Sequence, residues 1–421
     1  MQMDNVAEGR PVKPTLFYGW VIAFAAALGT ACSISVFLPS TISLLVGPLA
    51  HEFHWSPKAI FASIAVVAGA TILVAPIIGG VIDRFGVVPV LVFSFLAEAA
   101  LIASFKYLTG DIYLFYARYA ALSILATGTT SIAYSTVLSR WFDKYRGLAL
   151  GISLAGVGLG GFVWSLVAQY LFDRVGWRDA FPIMAGMIAI TMIPLMLLTM
   201  RDYPAAMGLH VDGRGDARDA PSPQAGLSVA QIFASAQFWL MAVSFFILAV
   251  VLYGVMLNLV PMLKMQGESV QAAAKVQAVQ WIVIIVGRIA TGFLIDRFFA
   301  PRVAIALLIM PLAGIAMFAV GVTGVNVFLA AMLVGVAVGA EGDMLSYMTG
   351  RYFGLKHYGM IYAVFYGLYG VGTGFGPTII AAAVEHFKSY APVLCGLCGL
   401  LVLTAVLLMM FRRFPKSFSE A

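Results

Sequence analysis

Two stretches, Gly79-Gly80-Val81-Ile82-Asp83-Arg84-Phe85 and Gly292-Phe293-Leu294-Ile295-Asp296-Arg297-Phe298, stand 213 positions apart and share glycine, isoleucine, aspartate, arginine and phenylalanine in register. A second pair follows in the same order: Arg140-Trp141-Phe142 with Gly147, and Arg351-Tyr352-Phe353 with Gly359. Each stretch ends a long apolar run. Two polar motifs recurring in sequence order are an internal repeat. The midpoint is marked too, because residues 201–230 are the only long polar segment and read as a linker rich in charge, proline and glycine.

Composition says what solvent the repeat lives in. The 421 residues are 62% hydrophobic and only 10% charged, against roughly 25% charged in an average soluble domain. So few charges cannot cover a soluble fold, so an ordinary cytosolic enzyme is excluded. A membrane span needs about 20 apolar residues. Approximate spans fall at 17–46, 57–82, 87–107, 112–138, 147–171, 178–200, 235–262, 272–295, 303–323, 325–349, 358–384 and 388–411. Long apolar runs without alternation are helices, since lipid leaves no other way to satisfy an open backbone. The expected fold is an all-α membrane protein of twelve transmembrane helices in two pseudo-symmetric six-helix bundles, residues 1–200 and 231–421, joined by 201–230.

Orientation follows from the loops. With the N-terminus inside, sixteen lysines and arginines fall on the inner side, among them Arg10, Lys13, Arg140, Arg214, Arg218, Arg351 and Lys416, and seven on the outer. The positive-inside rule then places both termini in the cytoplasm, in a plasma or inner membrane. Residues 1–16 lack the apolar core of a signal peptide, so the first apolar segment is expected to stay as a span. The net charge of +6 is spread over short loops and forms no basic stripe, which argues against nucleic acid.

Around Gly79, Asp83, Arg84 and Gly86 the chain resembles the major facilitator superfamily over nearly its whole length. Val88 replaces that family's last basic residue. The motif's logic is a gate: glycine lets helices approach, while Asp83–Arg84 and Asp296–Arg297 engage helix ends and neighbouring charges. The bland reading is simple loop charge. A narrower resemblance, to the monocarboxylate transporter branch that includes oxalate/formate exchangers, rests on Phe37-Leu38-Pro39-Ser40, on Trp141-Phe142-Asp143-Lys144-Tyr145-Arg146-Gly147-Leu148-Ala149-Leu150-Gly151 and on Arg288. That branch keeps a carboxylate-binding arginine at the place of Arg288. The chain departs from it at Ser40, where animal members carry lysine, at Ile284, where they carry aspartate, and in span eleven, where the oxalate exchanger carries lysine. A missing second cation favours a monoanion.

Charges inside spans are functional by default. Arg288, roughly 12 Å deep, offers a fixed fork for a carboxylate; the alternative is a structural ion pair. Glu341 and Asp343 share its depth but point apart as i and i+2. One of them is expected to be the proton-coupling carboxylate, with pairing to Arg288 as the alternative. Glu98 is expected to pair with a polar neighbour, and Arg118 is assigned no coupling role. Ser40, Tyr134, Tyr253, Asn258, Tyr366 and Tyr369 are candidates to line the substrate cavity. Tyr362, Phe365, Tyr366 and Tyr369 share one helical face, although such stripes are more often packing.

Three decoys are set aside. Gly156-Val157-Gly158-Leu159-Gly160-Gly161 matches a dinucleotide pattern but lies in a membrane helix without a strand before it. Cys395 and Cys398 have no second ligand pair, and the His51–His54 cluster has the wrong spacing for zinc. No metal, cofactor or catalytic constellation is expected. The functional expectation is a monomeric secondary transporter that takes up a small carboxylate with a proton. Export of drugs or metabolites, organic-anion exchange and a non-transporting sensor remain the alternatives.

Overall fold

A computed structural model describes residues 17–213 and 226–415. The segments 1–16, 214–225 and 416–421 lie outside the described residues, and with them Arg10, Lys13, Arg214, Arg218 and Lys416 of the charge count. The chain is all helical: α1 (Tyr18–Ala31), α2 (Ile34–Phe53), α3 (Pro57–Phe85), α4 (Val87–Ala103), α5 (Ile112–Ala126), α6 (Ser131–Trp141), α7 (Arg146–Thr199), α8 (Val229–Ala234), α9 (Ala236–Met265), α10 (Val270–Arg297), α11 (Ala300–Ala319), α12 (Val325–Phe353), α13 (Tyr358–Phe387) and α14 (Tyr390–Met409).

Among the described residues, eleven helical runs are long and apolar enough to cross a membrane. One of them, α7, has 54 residues. That length is about 81 Å of helix against a hydrocarbon core of about 30 Å. Gly176 resolves the excess. Its φ of 77° and ψ of 160° break the helix in a region closed to side chains. Both ends of α7 return to one face: Tyr18 Oη donates to the Thr199 carbonyl and Trp141 Nε1 to the Arg201 carbonyl. The turn itself lies at the other face, where Trp177 Nε1 donates to Glu52 Oε2 at 3.0 Å. α7 is therefore two crossings, and the chain makes twelve.

Two crossings expected to be continuous are broken. The first divides at Cys32–Ser33 into α1 and α2, and the fourth divides at Thr127–Thr130 into α5 and α6. Hydroxyls take up the carbonyls that the breaks release. Ser33 Oγ donates to the Thr30 carbonyl, Thr129 Oγ1 to that of Ala126, and Thr130 Oγ1 to that of Thr127. This local bonding is what lets serine and threonine compete with a helix ladder.

The polar segment after Thr199 is more ordered than a simple linker. Asp202 Oδ1 accepts from the Val87 amide at 2.6 Å, capping α4. Asp212 Oδ2 accepts from the amides of Asp143 and Lys144 at 3.1 and 2.8 Å. Beyond the undescribed stretch, Leu227 N donates to the Phe353 carbonyl at 3.0 Å. The segment is laced to the loop after α6 at one end and to the loop after α12 at the other. Carboxylates that read as solvated linker charge are helix and turn caps.

Candidate functional site

At the arginine-rich face the repeated motifs interlock. Asp83, at the end of α3, accepts from the amides of Gly359 and Met360 at 3.0 and 2.9 Å. Those amides lie in the first turn of α13, where no intrahelical acceptor exists. Asp296, at the end of α10, accepts from the amides of Gly147 and Leu148 at 2.6 and 2.8 Å, in the first turn of α7. Each aspartate thus caps the helix that follows the other repeat's Arg-aromatic-Phe motif. An anion at a helix N-terminus is stabilised by about 0.3–1 kcal/mol, and up to about 2 when partly buried.

Glycine makes the reach short enough. A Cβ on Gly79 would overlap the Gly359 carbonyl, and one on Gly147 would overlap the Gly292 carbonyl. Backbone touches backbone at both sites. Arg351 adds a bond across the same face, with Nη1 2.8 Å from Asp143 Oδ1 and Nη2 2.8 Å from the Asp143 carbonyl. The arginines of the repeated motifs work differently from the expectation. Arg84 lies over the Phe85 ring and Arg297 over Phe293, at 5.2 and 3.9 Å, while Arg140 is the cation 3.6 Å from Asp83. Of the two Asp-Arg pairs, the aspartates make the bridge.

Mid-membrane, α10, α12, α9 and α13 meet around Arg288. Its Nη1 is 3.3 Å from Asp343 Oδ1, and both groups are buried. Small residues bring the helices together: a Cβ on Gly339 would overlap the Ile284 carbonyl, and one on Gly342 would lie 3.5 Å from Arg288 Nη1. Glu341, two residues before Asp343, faces away from the ion pair, as its helical position requires. Its Oε1 accepts from Tyr369 Oη at 2.7 Å, and Tyr369 Oη lies 3.0 Å from Tyr253 Oη. The two phenol rings meet edge to face, centroids 5.8 Å apart. Asp343 Oδ2 and Glu341 Oε2 have no hydrogen-bond partner. A buried arginine held by one carboxylate, with a second carboxylate and two phenols beside it, can exchange one anion for another and can hold a proton.

The other candidates are placed as follows. Tyr366 faces Arg288 from α13 and also faces Ser35 and Ser131. Asn258 Nδ2 donates to the Gly254 and Pro377 carbonyls, at 2.8 and 3.1 Å, and so ties α9 to α13. Ser40 Oγ donates to the Val36 carbonyl of its own helix. Tyr134 is a correction: it is fully buried against Gly29, beside Cys32 and Glu98, and does not join Arg288. The aromatic stripe splits as well. Phe365 stacks on Phe238 and Phe353, at 4.9 and 6.1 Å, inside the helix bundle, while Tyr362 stacks on Tyr358. Among the described residues, Glu98 has no charged partner and neither of its oxygens is hydrogen-bonded. Sequence reasoning missed Asp143 and Asp212, although the quoted Trp-Phe-Asp-Lys motif already contained the first.

Residues 19–377 match the family model of the Major Facilitator Superfamily. The chain belongs to that superfamily, a family of transporters and not of enzymes. Among similar proteins, monocarboxylate transporter 12 of Xenopus laevis is 26% identical over 301 residues, 68% of this chain and 64% of that protein. Monocarboxylate transporter 11 of Mus musculus is 26% identical over 309 residues, 72% of this chain and 65% of the relative. The chain thus spans slightly less than two thirds of these relatives' lengths. Among solved structures, the human organic anion transporter MFSD10 superposes with a TM-score of 0.70 at 15% identity, covering 93% of this chain and 98% of that one. The proton:xylose symporter XylE superposes at 0.71 and 14% identity, covering 94% and 96%. At such identities the likeness is one of fold.

Proposed function

We propose that this secondary transporter carries a small monocarboxylate together with one proton, by alternating access between two six-helix halves, 1–200 and 231–421, with 201–230 as their connection. The arginine-rich face is assigned to the cytoplasm, with both termini there, in a plasma or inner membrane, and the working unit is a monomer. One observation carries the reading: Arg288, buried at mid-depth, is paired with Asp343 and flanked by Tyr253, Tyr366 and Tyr369. The names of the monocarboxylate relatives support the substrate class. Among the described residues, Arg288 is the one cation at this depth of the last six crossings, which suits a monoanion.

In this mechanism the substrate carboxylate takes the Arg288 fork from Asp343, and the freed carboxyl takes up a proton. Glu341, held by Tyr369, is the other group able to do so. Proton and substrate thus favour each other's binding, and linkage makes the effect reciprocal. Affinity is expected to rise as external pH falls, and uptake to follow ΔpH with little response to voltage.

The test is a thermal-shift screen of the purified protein against aliphatic and aromatic monocarboxylates, followed by uptake of the best binder in liposomes. Arg288→Lys keeps the charge but loses the bidentate fork, so uptake is expected to fall about 100-fold with expression intact. Undiminished uptake by Arg288→Lys and Arg288→Ala would end the reading. Glu341→Gln and Asp343→Asn then separate the carboxylates. The one that carries the proton should spare exchange and abolish pH-driven accumulation when neutralised.

A further inference from the structure

The buried polar group that this mechanism leaves unused is Glu98, on α4. It lies eleven residues into its helix, about 16 Å from the arginine-rich end and so near mid-membrane. It is fully buried, and both carboxyl oxygens are without a hydrogen bond. Two more buried polar atoms beside it are equally unpartnered, Ser94 Oγ one turn earlier and Tyr134 Oη on α6. The groups that interact with it are the Cys32 thiol after α1, Thr129 between α5 and α6, and Tyr134. Trp164 of α7, by Cys32, gives its Nε1 proton to the Ala31 carbonyl. No lysine, arginine or histidine among the described residues pairs with Glu98.

An ionised carboxylate does not persist in such surroundings, because a buried charge needs a partner or a metal. A metal is the weaker occupant, since the carbonyls freed by the two helix breaks are already taken by Ser33, Thr129, Thr130, Trp164 and backbone amides. Too few oxygens remain for a six-fold shell. A proton needs one.

We infer that Glu98 is a second proton-binding site of this transporter, set where the breaks of the first and fourth crossings meet and joined through hydroxyls to the Arg288 site. In the conformation described, Glu98 carries the proton. When the O–H bond breaks and the proton leaves to water, the carboxylate meets donors already in place. Ser94 and Tyr134 have hydroxyl protons with no acceptor, and Thr129 Oγ1 can turn its proton from the Ala126 carbonyl to Glu98. Thr129 Oγ1 also accepts from Ile34 N at 3.2 Å, the first amide of α2. Neither N-cap residue, Ser33 of α2 or Thr130 of α6, caps its own helix with its side chain, so a new anion beside both N-termini is stabilised by their dipoles. Loss of the proton therefore changes the bonding of both breaks at once.

The hydroxyls continue toward the substrate site. Ser33 Oγ is 2.9 Å from Ser35 Oγ, Ser131 Oγ is 3.4 Å from Tyr362 Oη, and Tyr366 faces Ser35, Ser131 and Arg288 together. The proton site stands without the carboxylate reading proposed above; only its link to Arg288 rests on it.

The test needs no substrate. The full-length protein in liposomes is titrated from about pH 5 to about pH 10 while the infrared band of protonated carboxyl groups is recorded. The wild type is expected to show a component that disappears in Glu98→Gln, moves in Glu98→Asp and survives in Glu341→Gln and Asp343→Asn. A Glu98→Gln spectrum that superposes on the wild type overturns the site. If Glu98→Gln does not fold, Glu98→Asp decides alone, an unmoved component overturning the site. Tyr366→Phe is expected to move the midpoint of that component by about half a pH unit or more. An unmoved midpoint overturns the link.

Discussion

The two ends of the sequence repeat agree, and the two middles do not. At the arginine-rich face, Asp83 capping α13 and Asp296 capping α7 make the same bonds to the same positions of a first helical turn. At mid-membrane, the last six crossings hold Arg288, Asp343 and Glu341, whereas the first six hold Glu98, with which no cation among the described residues pairs. The shared parts fasten one half to the other, and the proposed substrate and proton sites fall in the unshared parts. On the reading proposed above, a duplicated chain keeps its fastening twice over, while a monocarboxylate has one carboxylate to bind.

The sharpest way to break this comparison is at the middle. Arg288→Ala strands a buried Asp343, so unfolding stability in detergent is expected to fall by about 3–5 kcal/mol. Adding Asp343→Asn should recover most of that loss while uptake stays absent. Glu98→Gln, which strands no charge, should cost less than about 1 kcal/mol. Equal costs for Arg288→Ala and Glu98→Gln would erase the distinction between the middles.

The ends are tested by symmetry. Gly359→Ala and Gly147→Ala each drive a methyl into a facing backbone, and overpacking costs about 1–3 kcal/mol. Spin-label distances across the arginine-rich face should lengthen in both variants. Asp83→Asn and Asp296→Asn lose a charge-assisted cap, worth about 1–2 kcal/mol of the closed form. The two should shift the same distance distribution to similar extents; a shift in one alone would show that only one repeat retains the fastening. The smallest effect belongs to Arg84→Ala and Arg297→Ala, which remove exposed cation–ring contacts worth about 0.5–1 kcal/mol.

The crossings were legible in the sequence because lipid tolerates few polar residues, so the rare charged motifs mark the helix ends. The turn at Gly176 came between spans already separated by Arg174 and Arg178. The breaks in the first and fourth crossings were not read, since neither contains proline at the break. Their signal was hydroxyls, Thr30 and Ser33 in one, Thr127, Thr129 and Thr130 in the other, whose effect depends on which carbonyls they reach. Arg288 and its two acids stood out as expensive charges. The helical angle between Glu341 and Asp343 required them to face apart, but which one meets Arg288 depends on how α12 rolls against α10. Tyr134 was misplaced for a related reason: periodicity finds a helix face without saying what it faces. Glu98 was expected to pair because a buried charge must, yet a buried neutral acid satisfies the same rule.

The crossing pattern of the two aspartates also bears on insulation. Asp83 belongs to the first half and grips the second; Asp296 belongs to the second and grips the first. On the alternating-access reading proposed above, tilting either half away from the other releases both grips together. A partly opened gate is the arrangement through which water and ions could short-circuit the gradient that drives transport. On the proton-coupled reading proposed above, interlocked fasteners make the passage switch as a whole, and a carrier built this way turns over in an energised membrane without discharging it.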